Sequence, residues 1–169
     1  MHNNSKTVIL NSLQINQKIN RLAQQLLEDN YDEKELVLVG IANNGYMLAQ
    51  RLSETLTSIA SFKTTLVELS LHKEDPGNHA IVLAPDNIDY NNKVIVIIDD
   101  VVNSARTFIY ALQPFQYINA KKIRTVVLVD RNHKRYPISA DFVGLSLATT
   151  MQNHIEIVFS AGSEAAYLS

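Results

Sequence analysis

Residues 94 to 107 read VIVIIDDVVNSART, so an apolar run passes directly into two acidic residues and a polar turn. A short β-branched run without polar alternation is typical of a strand buried on both faces of a sheet. Three apolar residues then recur at helical spacing, Phe108, Ile109 and Leu112, before Pro114 interrupts the pattern. The stretch therefore predicts a strand, a turn and a helix, which is half of a βαβ unit.

Two other stretches have the same order of features. Residues 36–41 form an apolar run that stops at the polar residues 43–45 and is followed by an apolar helical stripe between Leu48 and Ile59. Residues 126–129 form a third run, which ends in the polar residues 130–133. Parallel strands need a crossover connection, and the crossover covers a face of the sheet. The three runs predict an α/β fold with a doubly wound, mostly parallel sheet.

An amphipathic helix precedes these units. Its apolar residues recur at helical spacing and are Ile15, Ile19, Leu22, Ala23 and Leu26. Asn11, with Gln14 three residues later, has the spacing of a capping box at the start of a helix.

The remaining apolar segments are shorter. Residues 64–71 and 80–83 predict an extended pair separated by an exposed loop, 72–79, which contains Pro76-Gly77. Residues 142–147 and 155–159 are expected to be late strands, antiparallel at one edge of the sheet, where they form a small hood.

Composition limits the range of chemistries. The chain has 169 residues and a net charge of −2, and it contains no cysteine. A disulfide framework, a thiolate zinc site and a cysteine nucleophile are therefore excluded. With no apolar signal run and no membrane-length segment, we expect one cytoplasmic domain over residues 1–169 that does not contact a membrane.

The acidic turn after residue 98 is the best candidate site, because ligands of open parallel sheets bind beyond the carboxyl ends of the strands. Unpaired amides at the start of the following helix favour a phosphate, and the hydroxyls of Ser104 and Thr107 can add donors. Asp99 and Asp100 can accept from sugar hydroxyls. The turn thus suits a ligand with a phosphate at one end and a diol at the other. Equally, Ser104 could simply cap the helix beside two solvated aspartates.

Residues 94–107 resemble the 5-phosphoribosyl-1-pyrophosphate (PRPP) signature of type I phosphoribosyltransferases. Residues 37–52 and 127–144 are similar to two blocks of the PyrR-type pyrimidine operon regulators, which are also uracil phosphoribosyltransferases. The second of these blocks is more specific than the PRPP signature. The resemblance extends from residue 6 to about residue 160, and it implies transfer of ribose 5-phosphate from PRPP to a pyrimidine base, with uracil expected.

The resemblance also assigns residues to roles. Asp99, Asp100 and Arg131 belong to the catalytic site: the aspartates contact the ribose hydroxyls, and Arg131 lies with Asp130 in the wall beside the base. The residues that hold PRPP or a nucleotide are Asn103, Ser104, Ala105, Arg106 and Thr107. The pyrophosphate loop comprises Ala42, Asn43, Asn44 and Gly45. A flexible loop, with His72 and Lys73 at its start, closes over the site. Mg²⁺ is the expected cofactor, bound through PRPP and water near the two aspartates with no direct protein ligand.

Two positions depart from the family pattern. Ala105 stands where the family has a glycine, which costs on the order of 1 kcal/mol if a positive φ is kept. Ala42-Asn43-Asn44 stands where the family carries basic residues, so the leaving pyrophosphate loses an electrostatic stabiliser. We expect binding to survive better than turnover. The alternative is that Asn43 and Asn44 serve only as turn residues before a helix.

The resemblance further implies partners. They are PRPP, a pyrimidine base or a nucleotide such as UMP, and other copies of the chain in a homodimer or larger homo-oligomer. RNA is a less favoured partner, because His133-Lys134-Arg135 is a short basic run in a chain of net charge −2. Two rival functions stay open: a nucleotide-sensing regulator that contacts RNA, and a homologue that binds ribose phosphates with little turnover.

Overall fold

The computed structural model describes residues 6–150 and 153–169. The first half of the described chain comprises β1 (Thr7–Leu10), α1 (Ser12–Asp29), β2 (Glu35–Ile41), α2 (Asn44–Ile59), β3 (Lys63–Ser70) and β4 (Val82–Ala84). The second half comprises β5 (Val94–Val102), α3 (Arg106–Ala111), a 3₁₀ turn (Gln113–Phe115), β6 (Lys122–Asp130), β7 (Phe142–Ser146), β8 (Ile155–Val158) and β9 (Ala165–Leu168).

The larger sheet has the strand order β4-β3-β2-β5-β6-β7. Its neighbours pair in parallel except β4, which is antiparallel to β3 at the edge. The sheet confirms the prediction of a mostly parallel α/β fold, and the β3–β4 pair confirms the predicted extended pair. Alternate residues of β2 enter opposite cores: Leu36 and Leu38 pack toward α1 and α2, and Val37 and Val39 pack toward α3.

The first helix begins as predicted. The side chain of Asn11 accepts from the Gln14 amide at 2.9 Å, and the Gln14 side chain accepts from the Asn11 amide at the same distance. The five predicted apolar residues of α1 are all buried. No helix in the described ranges combines the length and the apolar composition that a membrane crossing requires.

The predicted orientation of β7 was wrong. This strand lies parallel to β6 in the larger sheet, with Val126 opposite Phe142 and Asp130 opposite Ser146. Asp141 explains the direction, because its carboxylate accepts from the Thr125 amide at 2.9 Å and its own amide donates to the Thr125 hydroxyl at 3.0 Å. These bonds hold the residue before β7 beside Thr125 of β6. From that point β7 runs in the same direction as β6.

A smaller antiparallel sheet forms the hood, in the order β1-β9-β8. Its β8 strand confirms the expected antiparallel element, although its partners β1 and β9 were not predicted. Ile155 and Ile157 of β8 are buried against the core that α1 and α2 share. The hood therefore holds β8 close to the end of β5, where the acidic turn lies.

Candidate functional site

A cavity of about 330 Å³ opens beyond the end of β5. Its walls come from five regions: the end of β5 with the loop and first turn of α3 that follow it, the start of α2, the loop after β3, the residue after β6, and the hood strand β8 with His154 before it. Of the residues predicted for the site, the cavity brings together Asn44, Lys73, Asp99, Asp100, Asn103, Ser104, Ala105, Thr107 and Arg131.

The two aspartates lie at the base of this cavity. Asp99 is 2% exposed and Asp100 is 9% exposed, so neither is the solvated strand end of the simpler interpretation. Burial raises the pKa of Asp99 to about 8; Lys73 partly offsets that rise, and the neighbouring Asp100 charge adds to it. Such a carboxyl can exchange a proton near neutral pH, which makes its charge sensitive to whatever binds beside it.

Gly45 sets how closely α2 approaches the acidic turn. A Cβ atom at this position would lie 2.7 Å from the Ile98 carbonyl oxygen and 3.1 Å from a carboxylate oxygen of Asp99. Both distances are too short for a side chain. Glycine at this position therefore lets the start of α2 pack directly on the end of β5, although Gly45 itself does not line the cavity.

The loop before α3, predicted to hold a phosphate, has a left-handed residue at its end. Ala105 has φ of 65°, so the alanine keeps the left-handed backbone where the family pattern has glycine. The Ser104 hydroxyl accepts from the Arg106 amide at 3.3 Å. The amides of Ser104 and Ala105 have no acceptor among the described residues, which leaves them available to an anion.

The Arg106 side chain points away from the cavity. Its guanidinium donates to the Glu74 carbonyl at 3.3 Å and lies over the Tyr110 ring, 5.9 Å from the centroid. The side chain therefore joins α3 to the loop after β3, and only the backbone of Arg106 belongs to the phosphate loop.

Arg131 is buried and holds the chain that leads into the hood. Its Nε donates to the Thr149 hydroxyl at 3.1 Å and one Nη donates to the Thr150 carbonyl at 3.3 Å, with a further bond to the Asn153 carbonyl. This guanidinium lines the cavity while fixing the approach to β8. Asp130 does not line the cavity; it pairs with Lys134 at 3.2 Å.

Asn44 is the member of the predicted pyrophosphate loop that lines the cavity; Ala42 and Asn43 do not. Its side-chain nitrogen donates to Asp100 Oδ2 at 3.0 Å and to the Ile157 carbonyl at 2.9 Å. Asn43 is the residue before α2 and makes no side-chain capping bond. The two asparagines therefore differ. The Asn44 side chain connects Asp100 to the hood, and Asn43 lies in the turn before α2 without a capping bond.

The loop after β3 reaches the site through Lys73. The Lys73 ammonium lies 3.6 Å from a carboxylate oxygen of Asp99. His72 instead stacks on His79 within the loop, with ring centroids 4.2 Å apart, and accepts from the Asp75 amide at 3.0 Å. Lys73 thus places a positive charge over the aspartates.

Sequence reasoning missed part of the cavity. The residues concerned are Val101, Val102, Phe108, His154, Ile155, Glu156 and Ile157. The hood residues were expected only as a strand, because His154 and Glu156 stand singly among apolar residues and form no motif in the sequence.

The cavity fits a hard cation shared with a ligand. Asp99 and Asp100 supply the carboxylate oxygens that Mg²⁺ prefers. The described ranges contain no cluster of three or more His, Asp or Glu side chains that could hold a metal ion.

A second cavity of about 550 Å³ adjoins the first and shares Asn103, Ser104 and Arg131 with it. Its other walls are residues 132–135, which include the basic run predicted as the RNA-contacting segment.

Comparison with protein families gives a match over residues 5–164 to the family described as phosphoribosyl transferase domain. Among curated relatives, the Bifunctional protein PyrR of Clostridium kluyveri is 31% identical, covering 92% of this chain and 91% of that protein. The Bifunctional protein PyrR of Citrifermentans bemidjiense is 34% identical, covering 94% and 93%.

Solved structures agree on the fold. The hypoxanthine phosphoribosyltransferase of Trypanosoma cruzi superposes with a TM-score of 0.72 at 19% identity, covering 85% of this chain and 82% of that one. The hypoxanthine phosphoribosyltransferase of Staphylococcus aureus has a TM-score of 0.72 at 24% identity, with 89% and 82% covered.

Proposed function

Because the chain belongs to the phosphoribosyltransferase domain family, we propose that it transfers the ribose 5-phosphate of PRPP to a pyrimidine base, with uracil the expected acceptor. The observation that carries the proposal is one cavity in which the buried Asp99–Asp100 pair lies beside the open amides of the Ser104–Ala105 loop. A phosphate on the loop leaves the ribose hydroxyls within reach of the two carboxyl groups.

The reaction breaks the bond between ribose C1 and a pyrophosphate oxygen and forms a bond between C1 and a ring nitrogen of the base, which gives up its proton to solvent. Positive charge develops on the ribose in an oxocarbenium-like state. Asp100 stabilises that charge, and both carboxyl groups orient the sugar by accepting from its hydroxyls. Residues of the hood and Arg131 enclose the side of the ribose that receives the base.

Mg²⁺, when bound, supplies positive charge that offsets the leaving pyrophosphate. This chain's own cation beside the aspartates is Lys73, on the loop that would close the site. Closure of this loop would exclude water and so protect PRPP from hydrolysis.

A second candidate function is a nucleotide-binding homologue with weak turnover. The bonding of Asn44 favours it, since the residue expected beside pyrophosphate carries no charge and is bonded to the protein. The relatives are named bifunctional, and the short basic run His133-Lys134-Arg135 would give this chain only weak, salt-sensitive RNA contact. Assembly into a homodimer or larger homo-oligomer belongs to the same proposal.

The deciding experiment measures pyrophosphate release from PRPP and Mg²⁺ with a panel of nucleobases. Uracil should support release faster than purines, and UMP should raise the melting temperature by binding the folded state. If UMP stabilises the protein but no base supports release, the second candidate function is correct. If neither UMP nor PRPP with Mg²⁺ changes the melting temperature at millimolar concentration, both proposed functions are wrong.

A further inference from the structure

We propose that Arg106 is a positioning residue: its side chain, together with the ring of Tyr110, docks the 72–79 loop on α3, so that Lys73 lies over the aspartates and the loop shields the cavity from water. The effect on the reaction rests on the proposed function. The docking contact stands on the geometry of the ligand-free protein alone.

The 72–79 loop is closed on itself. The carboxylate of Asp75 accepts from the side-chain nitrogen of Asn78 at 2.9 Å, and the amide of Asp75 donates to His72 Nδ1 at 3.0 Å. The ring of His79 stacks on that of His72, with centroids 4.2 Å apart, so the two ends of the loop meet. The shape of the loop is therefore held from within, and its placement depends on its contacts with the rest of the protein.

Those outside contacts are few. Among the hydrogen bonds of the described residues, one joins this loop to the rest of the protein, from the Arg106 guanidinium to the Glu74 carbonyl at 3.3 Å. The second polar link is the Lys73 ammonium, 3.6 Å from a carboxylate oxygen of Asp99. The side chain of Lys73 is 46% exposed, and exposed charge pairs contribute little to holding a chain in place. Arg106 is therefore the main polar anchor of the loop.

Tyr110 completes the docking surface. It lies one helical turn after Arg106, so the two side chains share a face of α3. The guanidinium carbon is 5.9 Å from the ring centroid, and the buried Nε atom has no hydrogen-bond acceptor among the described residues. The ring and the loop carbonyl thus enclose the guanidinium. A Cβ atom at Gly77 would lie 3.4 Å from the Tyr110 hydroxyl oxygen, so the turn of the loop rests on the same ring.

The docked position matters because the loop forms part of the cavity wall. Lys73 lines the cavity, and α3 is a fixed support because Phe108 and Ala111 are buried in the core beneath it. Without the Arg106 contact, the loop keeps only the exposed Lys73 link and the cavity opens on this side. Water then reaches a bound PRPP molecule before the base does.

A spin label measures the docking without any ligand. The chain has no cysteine, so Glu74→Cys, at an exposed position of the loop, carries a single nitroxide. Adding Arg106→Gln or Tyr110→Leu should shorten the rotational correlation time of the label about threefold, because the loop leaves α3. Tyr110→Leu removes no charge, which separates docking from the loss of a cation. Tyr117→Leu, at a side chain that is 97% exposed, is the matched control and should leave the spectrum unchanged. Equal spectra for the parent and Arg106→Gln would overturn the docking.

The unlabelled variants test the role in the reaction. Arg106→Gln and Tyr110→Leu should raise the ratio of PRPP hydrolysis to uracil phosphoribosylation about fivefold, because water enters when the loop is undocked. A variant that is merely less stable loses both rates together and keeps the ratio, as Tyr117→Leu should. An unchanged ratio in Arg106→Gln would refute the positioning role. If the parent releases no pyrophosphate with any base, the proposed transferase function fails and this role fails with it, while the spin-label spectra still decide the docking.

Discussion

Two loops follow neighbouring parallel strands at the same edge of the sheet, and they differ in what their polar side chains do. Both have backbone amides without an acceptor among the described residues: those of Ser104 and Ala105 after β5, and those of Gly45 and Tyr46 at the start of α2. The Ser104 hydroxyl only accepts, from the Arg106 amide, whereas both donors of the Asn44 side chain are used within the protein. The difference teaches that a polar side chain adds to an anion site only where its donors are unoccupied.

The same contrast holds for charge. The end of β5 carries two buried carboxyl groups, Asp99 and Asp100; the pKa of Asp99 is raised to about 8, and Lys73 lies over it. The loop after β2 has no charged side chain between Ile41 and Tyr46. Under the proposed function, the end of β5 therefore carries the groups that contact the ribose, and the loop after β2 carries no charge to offset the departing pyrophosphate.

The largest expected effect comes from Asp100, where the two loops meet. Asp100→Asn removes an anionic acceptor for a ribose hydroxyl and the charge behind the Asn44 bond. We expect kcat/KM for PRPP to fall roughly 100-fold, since hydrogen bonds to charged groups contribute about 1.5–3 kcal/mol. Steady-state kinetics of pyrophosphate release measures it. Asp86→Asn on an exposed turn is the control, and an equal loss there would contradict a special role for Asp100.

How far the sequence predicts this molecule depends on the kind of signal. The doubly buried strands and the acidic turn were predictable because burial on both faces leaves an unbroken apolar run, as in residues 94–98. The start of α1 was predictable because a capping box is local in sequence. Local chemistry and periodicity therefore predicted the central strands of the larger sheet and its best candidate site.

The rest depends on contacts between distant residues. The parallel direction of β7 follows from the Asp141–Thr125 bonds, and the pairing of β1 with β9 joins opposite ends of the chain. Neither has a periodic signal. Likewise, the sequence around Asn44 predicts only a turn residue. Its bonds to Asp100 and Ile157 join residues far apart in the chain, so they have no local signal.

The next prediction tests the burial of Asp99. Its pKa is raised from about 4 in the unfolded chain to about 8, so the folded state binds the proton more tightly. Its contribution to stability is full below pH 4 and is lost as pH rises toward 8. Asp99→Asn removes this dependence, so the variant should melt a few degrees higher than the parent at pH 8 and show a smaller difference at pH 5.

Calorimetry across that range provides the measurement. Glu54→Gln, at an exposed position of α2, is the control for loss of one carboxyl. A constant difference between Asp99→Asn and the parent from pH 5 to pH 8 would mean that Asp99 does not titrate in this range.

A smaller gain is expected from giving the loop after β2 the charge it lacks. Asn44→Arg places a guanidinium beside Asp100, where its several donors can contact both the carboxylate and a departing phosphate. Negative charge grows on the leaving oxygen in the transition state, so kcat should rise about tenfold with a smaller change in KM for PRPP. Asn44→Gln, which adds length without charge, should not raise kcat. An unchanged kcat in a folded, PRPP-binding Asn44→Arg variant would show that this loop does not limit turnover.

The smallest expected effect is at Ala105, in the loop whose donors are open. Its φ of 65° is unfavourable for a residue with a Cβ, by roughly 1–2 kcal/mol, and glycine removes that cost. The buried methyl group offsets part of the gain, at about 0.8 kcal/mol. Ala105→Gly should therefore raise the melting temperature by about 1–3 °C, given 2–4 °C per kcal/mol for a chain of this size.

Ala111→Gly is the matched control, because that alanine is equally buried but lies in right-handed helix, where glycine should destabilise. If both variants melt lower by the same amount, the left-handed backbone at Ala105 carries no strain. The proposed function places the 5-phosphate on this loop, so any effect of Ala105→Gly on ligands should fall on the affinity for UMP and leave kcat at the parent's value.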